Sequence, residues 1–271
     1  MKILVLLNSK PVKRHVIKGK FVAKVSIITV VKDHTAGLKL THDSLKEQNF
    51  SNWEMFIVVG KSRDLTLLEA MRYQEYDSRI QVIEQQDTGI YSAMNLGLAA
   101  AAGEFIWFMN AGDRFATPTV LSNGIKALQE STAGIAIGGY QIDDKSGIYI
   151  YSDGPVTALN FAFGRRGGCH QAMIFRTKLL KEFGGFNTLY SLAADFELVL
   201  KIIMKWKAVR VSQVFALIEP GGRADQGIFL VHAQKHQIRK SVLGGPVTST
   251  FSVFWTGLAR LKIIMRRIFK D

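Results

Sequence analysis

The chain has 271 residues, enough for one α/β core with appendages and short for two independent domains. Hydrophobic residues make up 48% and charged residues 21%, which excludes a disordered chain, and the single cysteine, Cys169, excludes an intrachain disulfide or a multi-cysteine metal site. A formal charge of +13 draws anions, so phosphates, nucleic acid and anionic lipid are the partners to weigh.

A basic leader with Lys10, Lys13, Arg14, Lys18, Lys20 and Lys24 precedes the first regular segment. Its apolar run, Ile3 to Leu7, is too short for an export signal, and no stretch approaches the ~20 apolar residues of a spanning helix. A cytoplasmic protein with at most peripheral membrane contact is therefore expected. Val25 to Val31 is β-branched and continuous, the pattern of a strand buried on both faces of a parallel sheet. Leu38–Gln48 then reads as a helix, Trp53–Val59 as a strand, Asp64–Tyr76 as a helix and Arg79–Glu84 as a strand. Gly89–Ala102 carries Ile90, Met94, Leu98 and Ala101 at helical spacing, Gly103 ends it, and Glu104–Met109 is a fourth strand. This alternation predicts an α/β fold with a doubly wound, mostly parallel sheet flanked by helices. Pro118–Ser131, Thr177–Phe183 and Ala194–Trp206 read as further helices. Ile135–Ile137, Tyr140–Asp143 and Gly147–Tyr151 read as strands, the last two around an Asp-Asp-Lys-Ser turn, so the second half is more mixed.

Open α/β sheets bind ligands beyond the carboxyl ends of their strands, which draws attention to Asn110-Ala-Gly-Asp113 after the fourth strand. Asp113 is the only carboxylate there. A hard divalent cation, Mg²⁺ or Mn²⁺, takes oxygen ligands, and one carboxylate with two substrate phosphate oxygens is a workable set. All four residue types are also common in an ordinary turn. Asp195 opens a helix, where exposed backbone N–H groups keep a carboxylate ionised; it reads as a helix N-terminal acid or as a general base. Glu197, two positions on, cannot share its helix face.

Taken together, Val25 to Val31, Asp87-Thr-Gly-Ile-Tyr-Ser-Ala-Met-Asn95, Asn110 to Asp113, His170-Gln171 and Ala194-Asp195-Phe-Glu-Leu resemble the ordered landmarks of family 2 glycosyltransferases. The branch most similar builds bacterial capsule, colanic-acid-like and lipopolysaccharide chains, and the resemblance runs from about Val25 to about Gly222. It implies a GT-A-type fold and inverting transfer of a sugar, of the hexosyl type, from a nucleotide-sugar donor to a saccharide or lipid-linked saccharide. It implies residues 25–225 as the glycosyltransferase domain, with a nucleotide-sugar-binding half (25–115) and an acceptor-binding half (116–225), followed by an extension (226–271). Residues 1–24 remain a basic leader.

By the same resemblance Asp113 is the metal ligand and Asp195 the general base. Thr29 and Val31, Val59, Asp87, Asn95, Asn110 and Gly112 join Asp113 along the donor, while His170 and Gln171 meet the acceptor or a phosphate. Val59 and Gly112 stand where many members carry an Asp for the base and for the ribose, which weakens the expectation of UDP and leaves GDP or another nucleotide open. Asn187 stands where an Asp is frequent. The same two losses motivate a catalytically silent nucleotide-sugar-binding protein as an alternative. A nucleotidyltransferase would need a glycine-rich basic loop where Val30-Val-Lys-Asp-His34 stands, and no nucleic-acid-binding signature is present.

Near the C-terminus, Phe251, Phe254, Trp255, Leu258, Leu261, Met265 and Ile268 recur at helical spacing, with Arg260, Lys262, Arg266, Arg267 and Lys270 between them. Such a basic amphipathic segment over 251–270 fits either an anionic membrane surface, at the inner face of the cell membrane, or docking on its own domain.

Overall fold

The computed structural model describes residues 24–86, 89–144, 147–151, 156–163, 169–222, 227–244 and 253. The leader apart from Lys24, Asp87, and the amphipathic 251–270 segment apart from Val253 lie outside the described residues.

The first half follows the predicted alternation: β1 (Val25–Val31), α1 (Thr35–Lys46), β2 (Trp53–Val59), α2 (Thr66–Tyr76), β3 (Ile80–Glu84), α3 (Ile90–Ala100) and β4 (Phe105–Phe108). These four strands lie in the order β3-β2-β1-β4 and pair in parallel, with Val25 opposite both Trp53 and Phe105. The chain thus winds away from β1 in one direction and then in the other, which leaves a crevice at the carboxyl ends of β1 and β4.

The second half comprises β5 (Arg114–Phe115), α4 (Val120–Gln129), β6 (Ile135–Asp144), β7 (Gly147–Tyr151), α5 (Ala158–Ala162), a single helical turn (His170–Ala172), β8 (Met173–Arg176), α6 (Thr177–Glu182), α7 (Ala194–Lys205), β9 (Ala208–Ile218) and α8 (Ile228–Leu243). The sheet continues without a break as β4-β8-β6-β9-β5, and β7 pairs with β6. β8 runs antiparallel to β4 and β6, β9 parallel to β6, and β5 antiparallel to β9. The sheet is therefore parallel through its first four strands and mixed beyond them. β6 and β7 pair antiparallel, as expected of the two strands read on either side of the Asp-Asp-Lys-Ser segment.

Strand side chains alternate between two cores. Ile28, Val30, Phe56 and Val58 join Met94 and Leu98 of α3, Leu198 and Ile202 of α7 and Ile238 of α8 on one face. Val25, Ile27, Met55 and Ile57 join Leu38 and Leu45 of α1 and Leu121, Ile125 and Leu128 of α4 on the other. Each such side chain contributes about 1.5–3 kcal/mol when fully buried, and removal from water on both faces explains the largely apolar runs of β1 and β2, interrupted by Ser26, Thr29 and Glu54. Among the described residues no helix is long and apolar enough to cross a membrane.

Helix α3 sits close on β1 because Gly97 presents no side chain: a Cβ there would stand 2.5 Å from Ile28 Cγ2. Gly97→Val is expected to lower stability by roughly 2 kcal/mol or more in urea unfolding. A variant as stable as the wild type would show that α3 can move off β1 freely.

Candidate active site

All four residues of β4 are buried, and the strand drives into the turn Asn110–Asp113. Gly112 takes the left-handed backbone (φ 99°), and its N–H donates to Gly37 O (3.0 Å) and Thr41 Oγ1 (3.1 Å). Thr41 Oγ1 in turn donates toward Asp113 O (2.7 Å) and Asn110 O (3.1 Å), so α1 clamps the turn from behind. Ala111 N–H donates to Val30 O (3.2 Å), tying it to the end of β1.

The turn delivers Asp113 into the protein with only 5% of its surface exposed. One carboxylate oxygen accepts from the backbone N–H of Glu219 (3.0 Å), at the end of β9, and the other from Gln171 Nε2 (2.8 Å). Gln171 is itself fixed, since the buried indole N–H of Trp107 donates to its carbonyl (2.6 Å) and the Cys169 thiol donates to its Oε1. Burial nevertheless pushes the Asp113 carboxyl up to about 6, more than the bonds from Glu219 and Gln171 and the charge of His170 recover.

Asp195 lies in the first turn of α7. Its Oδ1 accepts from the Tyr91 hydroxyl (2.9 Å) on α3, and its Oδ2 is paired with His170 Nδ1 (3.1 Å). Burial works against its charge, but the bond and charge of His170, the nearby Lys235 ammonium and the Tyr91 hydroxyl outweigh it and hold the carboxyl at about 2. Burial and the Asp195 charge push the Tyr91 hydroxyl far up, so it stays a donor. Glu197, the neighbouring acid, is buried on another face and pairs with Lys201 (2.8 Å) and Asn187.

These groups line one cleft of about 960 Å³. It brings together Val31, Asn110, Asp113, His170, Gln171 and Asp195 from the sequence-based set. Four others are placed differently. Thr29 is fully buried inside β1, and Val59 is 2% exposed inside β2, because the alternation of a two-sided strand turns both toward the cores. Asn95 spends its amide on the backbone of Phe186, donating to its O and accepting from its N–H (2.8 Å each). Gly112 shapes the turn but has no side chain to offer. Asp87 lies outside the described residues.

The cleft also contains groups that sequence reasoning did not single out. Tyr91 was visible within the Asp87–Asn95 segment, but nothing in a sequence pairs it with Asp195. Glu219 follows the β-branched run of β9 and precedes Pro220-Gly221-Gly222, a strand-end signal that could have marked it. Its Oε2 meets His34 Nε2 (2.9 Å), joining the start of α1 to the end of β9 at the cleft edge.

The residues present fit a divalent cation. The ionised form of Asp113 is under-compensated where it is buried, and Asn110 Oδ1 beside it is buried with no hydrogen-bond partner. Both are the hard oxygen ligands that Mg²⁺ and Mn²⁺ prefer. Among the described residues no group of three or more His, Cys, Asp or Glu gathers at a metal site. Substrate oxygens or water would therefore complete the shell.

A model of glycosyl transferase family 2 matches residues 26–195, which takes in β1 through the Asp195 turn. An uncharacterized glycosyltransferase of Mycobacterium tuberculosis, Rv1514c, is 27% identical over 200 residues, covering 73% of this chain and 76% of that protein. A PGL/p-HBAD biosynthesis glycosyltransferase of Mycobacterium bovis is 27% identical over 183 residues, covering 64% of this chain and 66% of its own length. Among solved structures, S. aureus TarS (residues 1–349) in complex with UDP superposes with a TM-score of 0.64 at 20% identity, covering 81% of this chain and 70% of that one. The mannosyltransferase PcManGT of Pyrobaculum calidifontis, in complex with GDP-Man and Mn²⁺, superposes at 0.65 with 18% identity, covering 92% and 76%. The fold is thus of the GT-A glycosyltransferase kind, and with the family match spanning most of the chain, this protein belongs to glycosyl transferase family 2.

Proposed function

We propose that the chain is an inverting hexosyltransferase that moves a sugar from a nucleotide-sugar donor to an acceptor hydroxyl, with Asp195 as general base. The observation that carries this reading is that Asp113 and Asp195 face one cleft and are bridged by consecutive residues, Gln171 bonded to the first and His170 to the second. The two carboxyls are pushed in opposite directions, to about 6 and about 2, the separation expected of groups with different tasks. The complexes of TarS with UDP and of PcManGT with GDP-Man support a nucleotide sugar as the donor here, along the edge lined by Val31, Lys32 and Gly60.

The acceptor oxygen attacks the anomeric carbon as the bond to the diphosphate breaks on the opposite face, and its proton passes to Asp195. Tyr91 and His170 each occupy one lone pair of the Asp195 oxygens, which orients the carboxylate and leaves other lone pairs for the acceptor hydroxyl. Closing the cleft over an acceptor removes water from Asp195 and raises its basicity as the proton moves. Asp113 and Asn110 would hold Mg²⁺ or Mn²⁺, which when bound offsets charge on the departing diphosphate. The sequence landmarks support a lipid-linked saccharide acceptor in surface polysaccharide assembly, and the basic 251–270 segment supports an anionic membrane surface at the inner face of the cell membrane.

A panel of nucleotide sugars with Mn²⁺, scored for hydrolysis and transfer, tests the reading directly; inertness toward all of them would refute it. Asp113→Ala is expected to abolish Mn²⁺-dependent donor binding by calorimetry, and unchanged affinity would remove Asp113 from the metal site. Asp195→Asn is expected to keep donor affinity and to lower turnover about a hundredfold or more. Because Asp195 is held below its unfolded value of about 3.9, its contribution to stability is present above that pH and lost as pH falls toward about 2. Acid unfolding of Asp195→Asn should therefore lose part of the wild-type dependence between those values. Removal of residues 251–271 is expected to weaken sedimentation with anionic vesicles while leaving thermal stability nearly unchanged; a large stability loss would assign the segment to the fold.

A further inference from the structure

Helix α8 lies beyond the segment that the family model matches, which ends at Asp195. It is nevertheless built into the active cleft. Gln234, 7% exposed, accepts from the backbone N–H of Leu192 (3.0 Å) and donates to Ser191 Oγ (3.2 Å), and both of these residues line the cleft just ahead of Asp195. Farther along the helix, the buried Arg239 donates to Ala162 O (3.2 Å) and stacks over Phe163, anchoring α8 on the end of α5. Lys235, between these two anchors, places its ammonium over the ring of Phe196, 5.1 Å from the centroid, and Phe196 is the residue after Asp195.

Lys235 is poorly explained as a stabilising residue. Among the described residues it forms no ion pair and donates no hydrogen bond to a carboxylate, and burial with the Arg239 charge works against its own charge, with Asp195 favouring it. A partly desolvated ammonium without a bonded counterion costs stability relative to an apolar side chain of the same shape. What it does supply is a positive charge set over Phe196, the residue next to Asp195 in α7, that favours the ionised Asp195 carboxyl.

We propose that Lys235 is a positioning residue for the transfer reaction: α8 holds its ammonium where its field acts on Asp195, and Gln234 fixes the rim of the cleft beside it. This rests on the reading of Asp195 as the base. The other groups facing Asp195 are Tyr91 from α3 and His170 from the single turn, with the Cys169 thiol nearby and Glu197 turned away to Lys201. No hydrogen bond among these groups involves Lys235, and of them the Cys169 thiol also feels its charge; methionine keeps the apolar stem against Phe196.

The test compares wild type, Lys235→Met and Lys235→Arg in two measurements. The first is the pH profile of hydrolysis of UDP-glucose, UDP-N-acetylglucosamine and GDP-mannose with Mn²⁺. The second, which needs no substrate, is the titration of the Asp195 carboxyl carbon by carbon-13 NMR, assigned through Asp195→Asn. Loss of the field moves the Asp195 carboxyl midpoint to higher pH, by roughly one unit in Lys235→Met, and arginine restores it, while the acid limb of hydrolysis, which follows the higher-lying Asp113 carboxyl, stays in place. Urea unfolding at neutral pH is expected to show Lys235→Met as stable as wild type or more so. An unmoved carboxyl midpoint, or a marked loss of stability in Lys235→Met, would overturn the proposal. A wild type inert toward every donor would refute the transferase reading instead, while the NMR titration would still decide whether Lys235 sets the charge state of Asp195.

Discussion

The arrangement of the cleft depends on one buried carboxylate. Asp113 accepts from Gln171 on one oxygen and from the Glu219 backbone on the other, and those partners come from segments 58 and 106 residues away in the chain. A buried carboxylate left without donors is costly, so these two bonds are strongly enforced. Their effect is to draw the turn before β8 and the end of β9 onto the end of β4. Trp107 reinforces the same junction from inside the core, by donating its indole N–H to the carbonyl of Gln171. His170 follows from this, because it precedes Gln171 and is thereby held where its ring meets Asp195.

The site is thus two carboxylates coupled through one short turn and differently served by their surroundings. Asp113 has two neutral donors and little solvent, so burial works against its charge. Asp195 has a tyrosine hydroxyl, an imidazole and an ammonium around it, so its charge is favoured before any substrate arrives. These groups come from α3, the turn before β8 and α8, three elements that meet only in the folded chain. Preorganised polar groups of this kind need no rearrangement when charge develops, which is how a rigid scaffold lowers a barrier.

The first half of the fold was legible because its physics is local. A strand buried on both faces is largely apolar, so β1, β2 and β4 announced themselves, and the alanine-rich pattern of α3 was visible too, although the helix ends at Ala100 with Ala101 as its C-cap, ahead of the expected stop at Gly103. The second half was less so. The β6–β7 pair and helices α4, α6 and α7 were visible, but β9 and α8 were not assigned: β9 is only partly buried along most of its length, which blurs its pattern. Asp113, His170, Gln171 and Asp195 were recognised as an ordered set of landmarks, and the structure places them in one cleft. Tyr91, Glu219 and Lys235 went unread because their importance lies in which side chain they face, and no spacing rule encodes a meeting of residues that lie far apart in the chain. Thr29, Val59 and Asn95 were placed without knowledge of where their side chains point, the complementary gap. Proximity to a strand end or motif does not say which way a side chain points, and these three point into the cores or into a loop.

The missing side chain at position 112 has a consequence for how this site can vary. A Cβ built on Gly112 would lie 2.1 Å from Glu219 Oε2, so the space that a residue 112 side chain would fill is already held by a carboxylate reaching in from the end of β9. Two chain positions 107 residues apart (219 − 112) therefore share one small volume and one negative charge. An aspartate at 112, which is among the few residues that tolerate its left-handed backbone, can be accommodated only if residue 219 becomes smaller or turns away. In a collection of related sequences the two positions should change together, an acid at one accompanying a small or neutral residue at the other.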